Sequence, residues 1–400
     1  MPGPVRQLTL QEARELIERR CFHPAASDLV GLETEWLVVP EADAAATVPF
    51  ERLCGAVQRA GPLPGGSTVT YEPGGQLELS GPPAATVGGA CQAMAADVAS
   101  AQEVVATEGL TLVGDGLDPR RPPRRVVDSP RYRAMEAFFA ADGADGARMM
   151  SSTAALQINV DAGGDRSWRR RWARANALGP ALLAAFANSP IRDGRPTGWK
   201  STRLATWWAI DPSRTAPVGP GLGPRAWADY ALAARVMFIR EEDRLYRPLM
   251  RPLSFEAWLR DGHELGHPTA DDLDYHLTTL FPPVRPRSWL EVRYIDALPD
   301  PWWRVAATVV AVLLVDERAG AAAGLGAAGT ENMWLDAARG GMDHPALASA
   351  AGACFAAAIA AGERAGADRA SLRLTAEYAE RYVAKGRCPA DDRLMEPAWT

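Results

Sequence analysis

The chain has 400 residues, of which 47% are hydrophobic and 23% charged, and its 43 basic against 49 acidic side chains leave a formal charge of −6. That balance argues against a nucleic-acid or anionic-membrane partner. The length suits one catalytic domain over residues 1–400, with a sheet core over about 28–300 and a helical cover over about 301–400.

In chain order, the first element is TLQEARELIERR. Thr9 and Glu12 form a capping-box pattern there, and Leu10, Ala13, Leu16 and Ile17 recur at helical spacing. Its acidic residues do not suit a secretory signal. VGLETEWLVV reads as a strand, followed by a short helix near Phe50 to Arg59. TVTYEPGGQLELSGPP reads as two strand pieces kinked at Pro73, Gly74 and Gly75, a bend that re-aims the flanking glutamates. A helix from about Val87 to Glu108, a strand around Leu110 to Gly114 and the helix RYRAMEAFFA precede the strand ALQINV. RSWRRRWARANALGPALLAAFANS reads as one long helix, whose Arg169, Arg170, Arg171 and Arg174 spread over several directions as on a solvated face. NSPIRDGRPTGWKSTRLATWW reads as a loop leading into a helix at Ser201 or Thr202, with Arg203, Thr206 and Trp207 on one side of it.

SWLEVRY is a further strand, and Ala-rich helices beyond it cover the apolar back of a sheet. The apolar stretch from Trp302 to Val315 is interrupted by Arg304 and is too short to span a bilayer. Helices and strands come in blocks instead of alternating regularly, which predicts an α+β fold with an antiparallel sheet. Five cysteines, Cys21, Cys54, Cys91, Cys354 and Cys388, are scattered without a CxxC pair, as for reduced thiols in a cytoplasmic protein.

Four strands each point two polar side chains at one face: Glu33 and Glu35, Gln76 and Glu78, Gln157 and Asn159, Glu291 and Arg293. The flanking Leu32, Trp36, Leu77, Leu79, Leu156, Ile158, Leu290 and Val292 are left for a core. Carboxylates crowded on one rigid face repel one another unless a cation lies among them, which points to a hard metal such as Mg²⁺ carrying substrate phosphates. No GxxxxGK[ST] loop and no GxSxG elbow is present, so a polyphosphate would be held by the acidic sheet. His263, Glu264 and His267 match HExxH, and with His276 they would make a zinc peptidase. Gly266 inside the match and Pro268 directly after it disfavour the helix that such a site needs.

The strings VGLETEWLV, YEPGGQLELSGPP, ALQINVD, ANSPIRDGRPTGWKSTR and HLTTLFPPVRPRSWLEVR resemble, in order, the motifs of the plant and proteobacterial type of glutamate–cysteine ligase. The chain is most similar to the actinobacterial branch that serves ergothioneine biosynthesis. The resemblance implies a fold related to glutamine synthetase and the guanidino kinases, in which a curved antiparallel sheet covered by helices forms a cup for ATP, two or more Mg²⁺ ions, L-glutamate and L-cysteine. It implies that Glu33, Glu35, Glu78 and Glu291 hold metal, with Glu72 beside the substrate. Arg293 would face phosphate, and Arg203 would engage the glutamate substrate with Gln157, Asn159 and Trp207 near it. Lys200 has no fixed role in that pattern, and Met237 or Phe238 stands near the expected cysteine pocket. A ligase of the same fold with another amine acceptor is the alternative.

Overall fold

The computed structural model describes residues 7–23, 27–164, 167–218, 223–241 and 245–396. Its centre is a seven-stranded antiparallel sheet built from β1 (Val30–Pro40), β2 (Thr68–Tyr71), β3 (Leu77–Ser80), β4 (Leu110–Val113), β5 (Ala155–Asp161), β6 (Val284–Pro286) and β7 (Trp289–Asp296). The order is β6-β7-β5-β1-β3-β2, with β4 pairing the far end of β1. This is the α+β class that the block arrangement of the sequence predicts.

Strand alternation divides the sheet into two chemically different faces. Leu32 and Trp36 of β1, Leu77 and Leu79 of β3, Leu156, Ile158 and Val160 of β5, and Leu290 and Val292 of β7 are all buried on one side. They join a single core with the helices α1 (Val87–Ala106) and α2 (Trp302–Val315). From Val305 to Leu314 every residue of α2 is buried, because the helices Pro345–Ala361 and Arg369–Arg381 cover its outer side. A helix apolar all round is stable only when enclosed in this way. No single helix among the described residues is long and apolar enough to cross a membrane, although the bent pair Trp334–Asp343 and Pro345–Ala361 reaches that length and composition.

The structure departs from the sequence expectations in three places. The expected long helix is two helices, Trp168–Ala177 and Gly179–Phe186. Pro180 has no N–H to continue the ladder, and a Cβ on Gly179 would fall 2.0 Å from the Trp334 ring, so the break is also a packing contact. The expected kink at Pro73–Gly75 is instead the turn of a hairpin between β2 and β3, closed by Glu72 N donating to Gln76 O at 3.0 Å. Nor is the arginine run a plain solvated face. Arg171 is buried against Asp28 and Asp161 O, Arg174 reaches Leu313 O, and Arg170 and Arg174 both pair with Glu317.

Candidate active site

The register of the sheet sets its carboxylates against one another. Glu35 of β1 lies directly opposite Glu78 of β3, and Glu33 lies opposite Gln157 of β5. The β2–β3 turn then lowers Glu72 onto the same patch, so that oxygens of Glu35, Glu72 and Glu78 lie within 4.8 Å of one another. Gly74 makes this approach possible, since any Cβ there would meet Ser151 O at 2.1 Å. Gln76, just ahead of β3, is buried and donates to Thr153 O at 2.8 Å, which ties the hairpin to the segment leading into β5.

Hydrogen bonds aim each side chain. Glu35 accepts from Ala155 N at 2.8 Å and from Gln157 Nε2 at 3.0 Å. Arg293 Nη1 donates to Gln157 Oε1 and to Glu291 Oε1. Glu78 accepts from the Thr70 hydroxyl at 2.6 Å, and Glu33 accepts from Asn159 Nδ2 at 2.8 Å. Burial, and after it the Glu78 charge, push the Glu35 carboxyl up to about 7. Burial with the charges of Glu35 and Glu78 holds Glu72 well above the usual carboxylate range, and Glu33 is raised by burial and by Glu291 and Glu78. Such a patch stores repulsion that a hard cation with oxygen ligands would relieve. Glu35, Glu72 and Glu78 thus fit a divalent ion by donor type and spacing.

Glu291 is placed differently. It is 2% exposed, and Arg285 grips it with two bonds, Nε to Oε2 at 2.5 Å and Nη2 to Oε1 at 2.9 Å. Burial alone would raise its pKa, but Arg285 and Arg293 hold it down at about 2. Two of the four glutamates expected to hold two or more Mg²⁺ ions, Glu35 and Glu78, lie within one cluster here. Glu72, expected beside the substrate, joins Glu35 and Glu78, while Glu291 is an ion-pair partner and Glu33 sits beside Asn159.

A cavity of about 260 Å³ opens over this patch. Its wall carries Glu35, Glu72, Gln157 and Arg293, with Trp207 and Phe281 as an aromatic side and Arg131 and Tyr132 as a polar one. Arg203 is not part of the wall. It is 3% exposed, donates through Nη2 to Arg293 O at 3.0 Å and lies 6.0 Å from the Trp207 ring centre, and its Nε and Nη1 have no hydrogen-bond partner. Asp296, fully buried, accepts from Asn188 N, the Ser189 hydroxyl and the Ser201 hydroxyl at 2.7–2.9 Å and lies 3.8 Å from Arg203 Nη1. Ser201 caps the helix Thr202–Ile210 that carries Arg203 and Trp207, so one carboxylate fixes both the loop and the start of that helix. A larger cleft of about 610 Å³ lies on the apolar side of the sheet near Trp36 and Trp302. Its Arg381 and Arg393 are already paired with Asp392 and Asp115.

The remaining candidates lie elsewhere. Lys200 pairs with Asp343 and Asp391 among the C-terminal helices. Met237 and Phe238 are buried in a small apolar cluster with Met135, Met149 and Met150 and do not reach the cavity wall, whereas the three methionines do. His263 and Gly266 exchange backbone hydrogen bonds in a tight turn after the helix Phe255–Asp261, and Glu264 is paired with Arg247. His276 is buried in a different helix, with Nε2 on Ala231 O. The four residues of the zinc reading do not assemble. Among the described residues of the site that escaped the sequence reading are Arg131, Tyr132, Phe281, Arg285 and Asp296. Of these only Arg285 carried a signal, since PVRPRSWLEV is a hairpin pattern that pairs it with Glu291.

The family described as glutamate-cysteine ligase family 2 (GCS2) matches residues 29–398. The glutamate–cysteine ligase EgtA of Mycobacterium tuberculosis H37Rv is 41% identical over 402 residues, covering 98% of this chain and 91% of that protein. The chloroplastic glutamate–cysteine ligase of Medicago truncatula is 31% identical over 250 residues, 61% of this chain and 49% of that one. Among solved structures, the complex between the prokaryotic ubiquitin-like protein Pup and its ligase PafA is similar at a TM-score of 0.41 and 12% identity, over 93% of this chain and 67% of that one.

Proposed function

Because the chain belongs to glutamate–cysteine ligase family 2, it is an enzyme, and we propose that it joins L-glutamate to L-cysteine with ATP, giving γ-glutamylcysteine for ergothioneine biosynthesis. The reaction passes through γ-glutamyl phosphate. A γ-carboxylate oxygen of glutamate attacks the γ-phosphorus of ATP and ADP leaves; the cysteine amine then attacks the acyl carbon and phosphate leaves. A free carboxylate is a poor electrophile, and phosphorylation supplies the leaving group. The entire chain acts as one catalytic domain in the cytoplasm, on small molecules, with no nucleic-acid or membrane partner.

The observation that carries this reading is the pairing of opposite charges across one cavity: Glu35 and Glu72 on one side, Arg293 on the other, with Gln157 bonded to both Glu35 and Arg293. Arg293 would meet the charge that develops on a transferring phosphoryl group, beside the Trp207 and Phe281 rings that line the same cavity. Glu35, Glu72 and Glu78 would hold Mg²⁺, which when bound neutralises phosphate oxygens. Arg203, with Nε and Nη1 free of hydrogen bonds beside Trp207, either engages the glutamate carboxylate directly or sets Arg293 through its backbone carbonyl. Asn159 and Glu33 continue the polar face beyond the cavity.

The test is phosphate release with ATP and glutamate fixed and the acceptor varied over twenty amino acids. Release with cysteine at least about tenfold above every other acceptor supports the reading. A different preferred amine would keep the chemistry and replace the acceptor, and release independent of glutamate would reject it.

A further inference from the structure

The geometry points to Trp289 as the platform on which the adenine of ATP stacks, an assignment that rests on the ATP-dependent ligase reading above. Positions 289, 291 and 293 of β7 share one face by strand alternation, so the Trp289 ring stands in line with Glu291 and Arg293 on the polar side of the sheet. It is the one aromatic side chain among the polar-face positions of β1, β3, β5 and β7. A large ring on a face of carboxylates and amides has no core to fill. Trp289 is 36% exposed, and its indole N–H donates to Asn159 Oδ1 at 3.0 Å, which fixes the ring without covering it. Asn159 in turn donates to Glu33. The Arg287 guanidinium lies 5.2 Å from the ring centre, exposed and with no carboxylate partner among the described residues.

Distance decides what such a ring could serve. Four residues of strand at about 3.3 Å each place Trp289 roughly 13 Å from Arg293, comparable with the reach of a nucleoside triphosphate from base to γ-phosphate. With the base on Trp289, the phosphates would run over Asn159 and Glu33 toward Arg293 and the acidic patch. Arg287 adds positive charge at the base end. Glutamate and cysteine are left the cavity beneath Trp207. Stacking of a base on an aromatic ring contributes about 1–3 kcal/mol, or from about fivefold to more than about a hundredfold in affinity.

The experiment compares Trp289→Ala and Trp289→Phe with the parent by calorimetric titration of ADP, by KM for ATP, glutamate and cysteine, and by inhibition with inorganic tripolyphosphate, which has no base. Trp289→Ala should weaken ADP and raise the ATP KM about tenfold or more, while tripolyphosphate inhibition and the glutamate KM stay within about twofold. Trp289→Phe, which keeps a ring but loses the bond to Asn159, should remain within about threefold for ADP. Equal weakening of ADP and tripolyphosphate would overturn the assignment, as would unchanged ADP binding in a Trp289→Ala protein that melts like the parent. ADP binding reads Trp289 without turnover. A parent that binds ADP, loses it on Trp289→Ala and yet joins no glutamate to cysteine would keep the platform and reject the ligase reading.

Discussion

Arg285 and Glu291 face each other across the β6–β7 hairpin as a buried, two-pronged ion pair. Both are nearly enclosed, at 6% and 2% exposure. Removing one partner of such a pair leaves an uncompensated buried charge, which typically costs about 3–5 kcal/mol. Arg285→Met should therefore lower unfolding stability by roughly that amount, and adding Glu291→Gln should recover most of it. Urea unfolding of both variants checks this. If Arg285→Met unfolds with the parent's midpoint, the pair does not hold the hairpin.

The acidic patch should behave in the opposite way. Glu35→Gln or Glu78→Gln removes repulsion, so the chelated protein should melt at or above the parent's temperature, while Mg²⁺ binding and turnover fall by at least about a hundredfold. Calorimetry with Mg²⁺ alone separates lost binding from lost chemistry. Parent-like Mg²⁺ affinity in Glu35→Gln would remove that residue from the metal site.

The same patch makes stability depend on pH in a definite direction. The Glu35 carboxyl is raised from the usual 4.5 to about 7 in the folded protein, so its contribution to stability is present below about pH 4.5 and is lost as pH rises to about 7. Glu72 and Glu33 shift the same way. Glu291, held at about 2, contributes above pH 4.5 and loses that contribution only as pH falls toward 2. In chelator, melting of the parent relative to Glu35→Gln should drop between about pH 4.5 and about pH 7, and Mg²⁺ should reverse the drop. A constant difference across that range would mean that Glu35 titrates normally.

Much of this site could be read from spacing because strand alternation is a strong local rule. ETE, QLE, QIN and EVR each announced a strand with one polar side, and the apolar residues between them are the observed core. What spacing could not supply was register and turn geometry. Glu72 enters the acidic cluster because the β2–β3 turn folds it over Glu35, and Glu291 is gripped by Arg285, which stands opposite it in the hairpin. Asp296 was invisible for a related reason: its partners Asn188, Ser189 and Ser201 lie about a hundred residues away in sequence. The break at Pro180 was written in the sequence but outweighed by an unbroken apolar pattern on both sides.

Asp296 should act as a positioning residue for Arg203 and Trp207. Asp296→Asn keeps the shape but loses an acceptor for the two serine hydroxyls and the charge 3.8 Å from Arg203. The glutamate KM should rise about tenfold or more, with the ATP KM changed less than threefold, and Asp296→Glu should restore little because the pocket is full. Equal loss in both KM values would indicate a general structural defect.

His263→Ala with His267→Ala should leave turnover within about threefold of the parent, since neither lines the cavity over the acidic patch. Activity lost in the double variant and restored by added zinc would revive the metallopeptidase reading.

The most direct test of the ligase account follows an oxygen atom. With glutamate carrying ¹⁸O in its γ-carboxylate, attack on ATP and later expulsion by the cysteine amine must carry one labelled oxygen into inorganic phosphate. Mass analysis should find one ¹⁸O per phosphate released, together with γ-glutamylcysteine in equal amount. Phosphate released without label would contradict the account, because the carboxylate would then never have been phosphorylated.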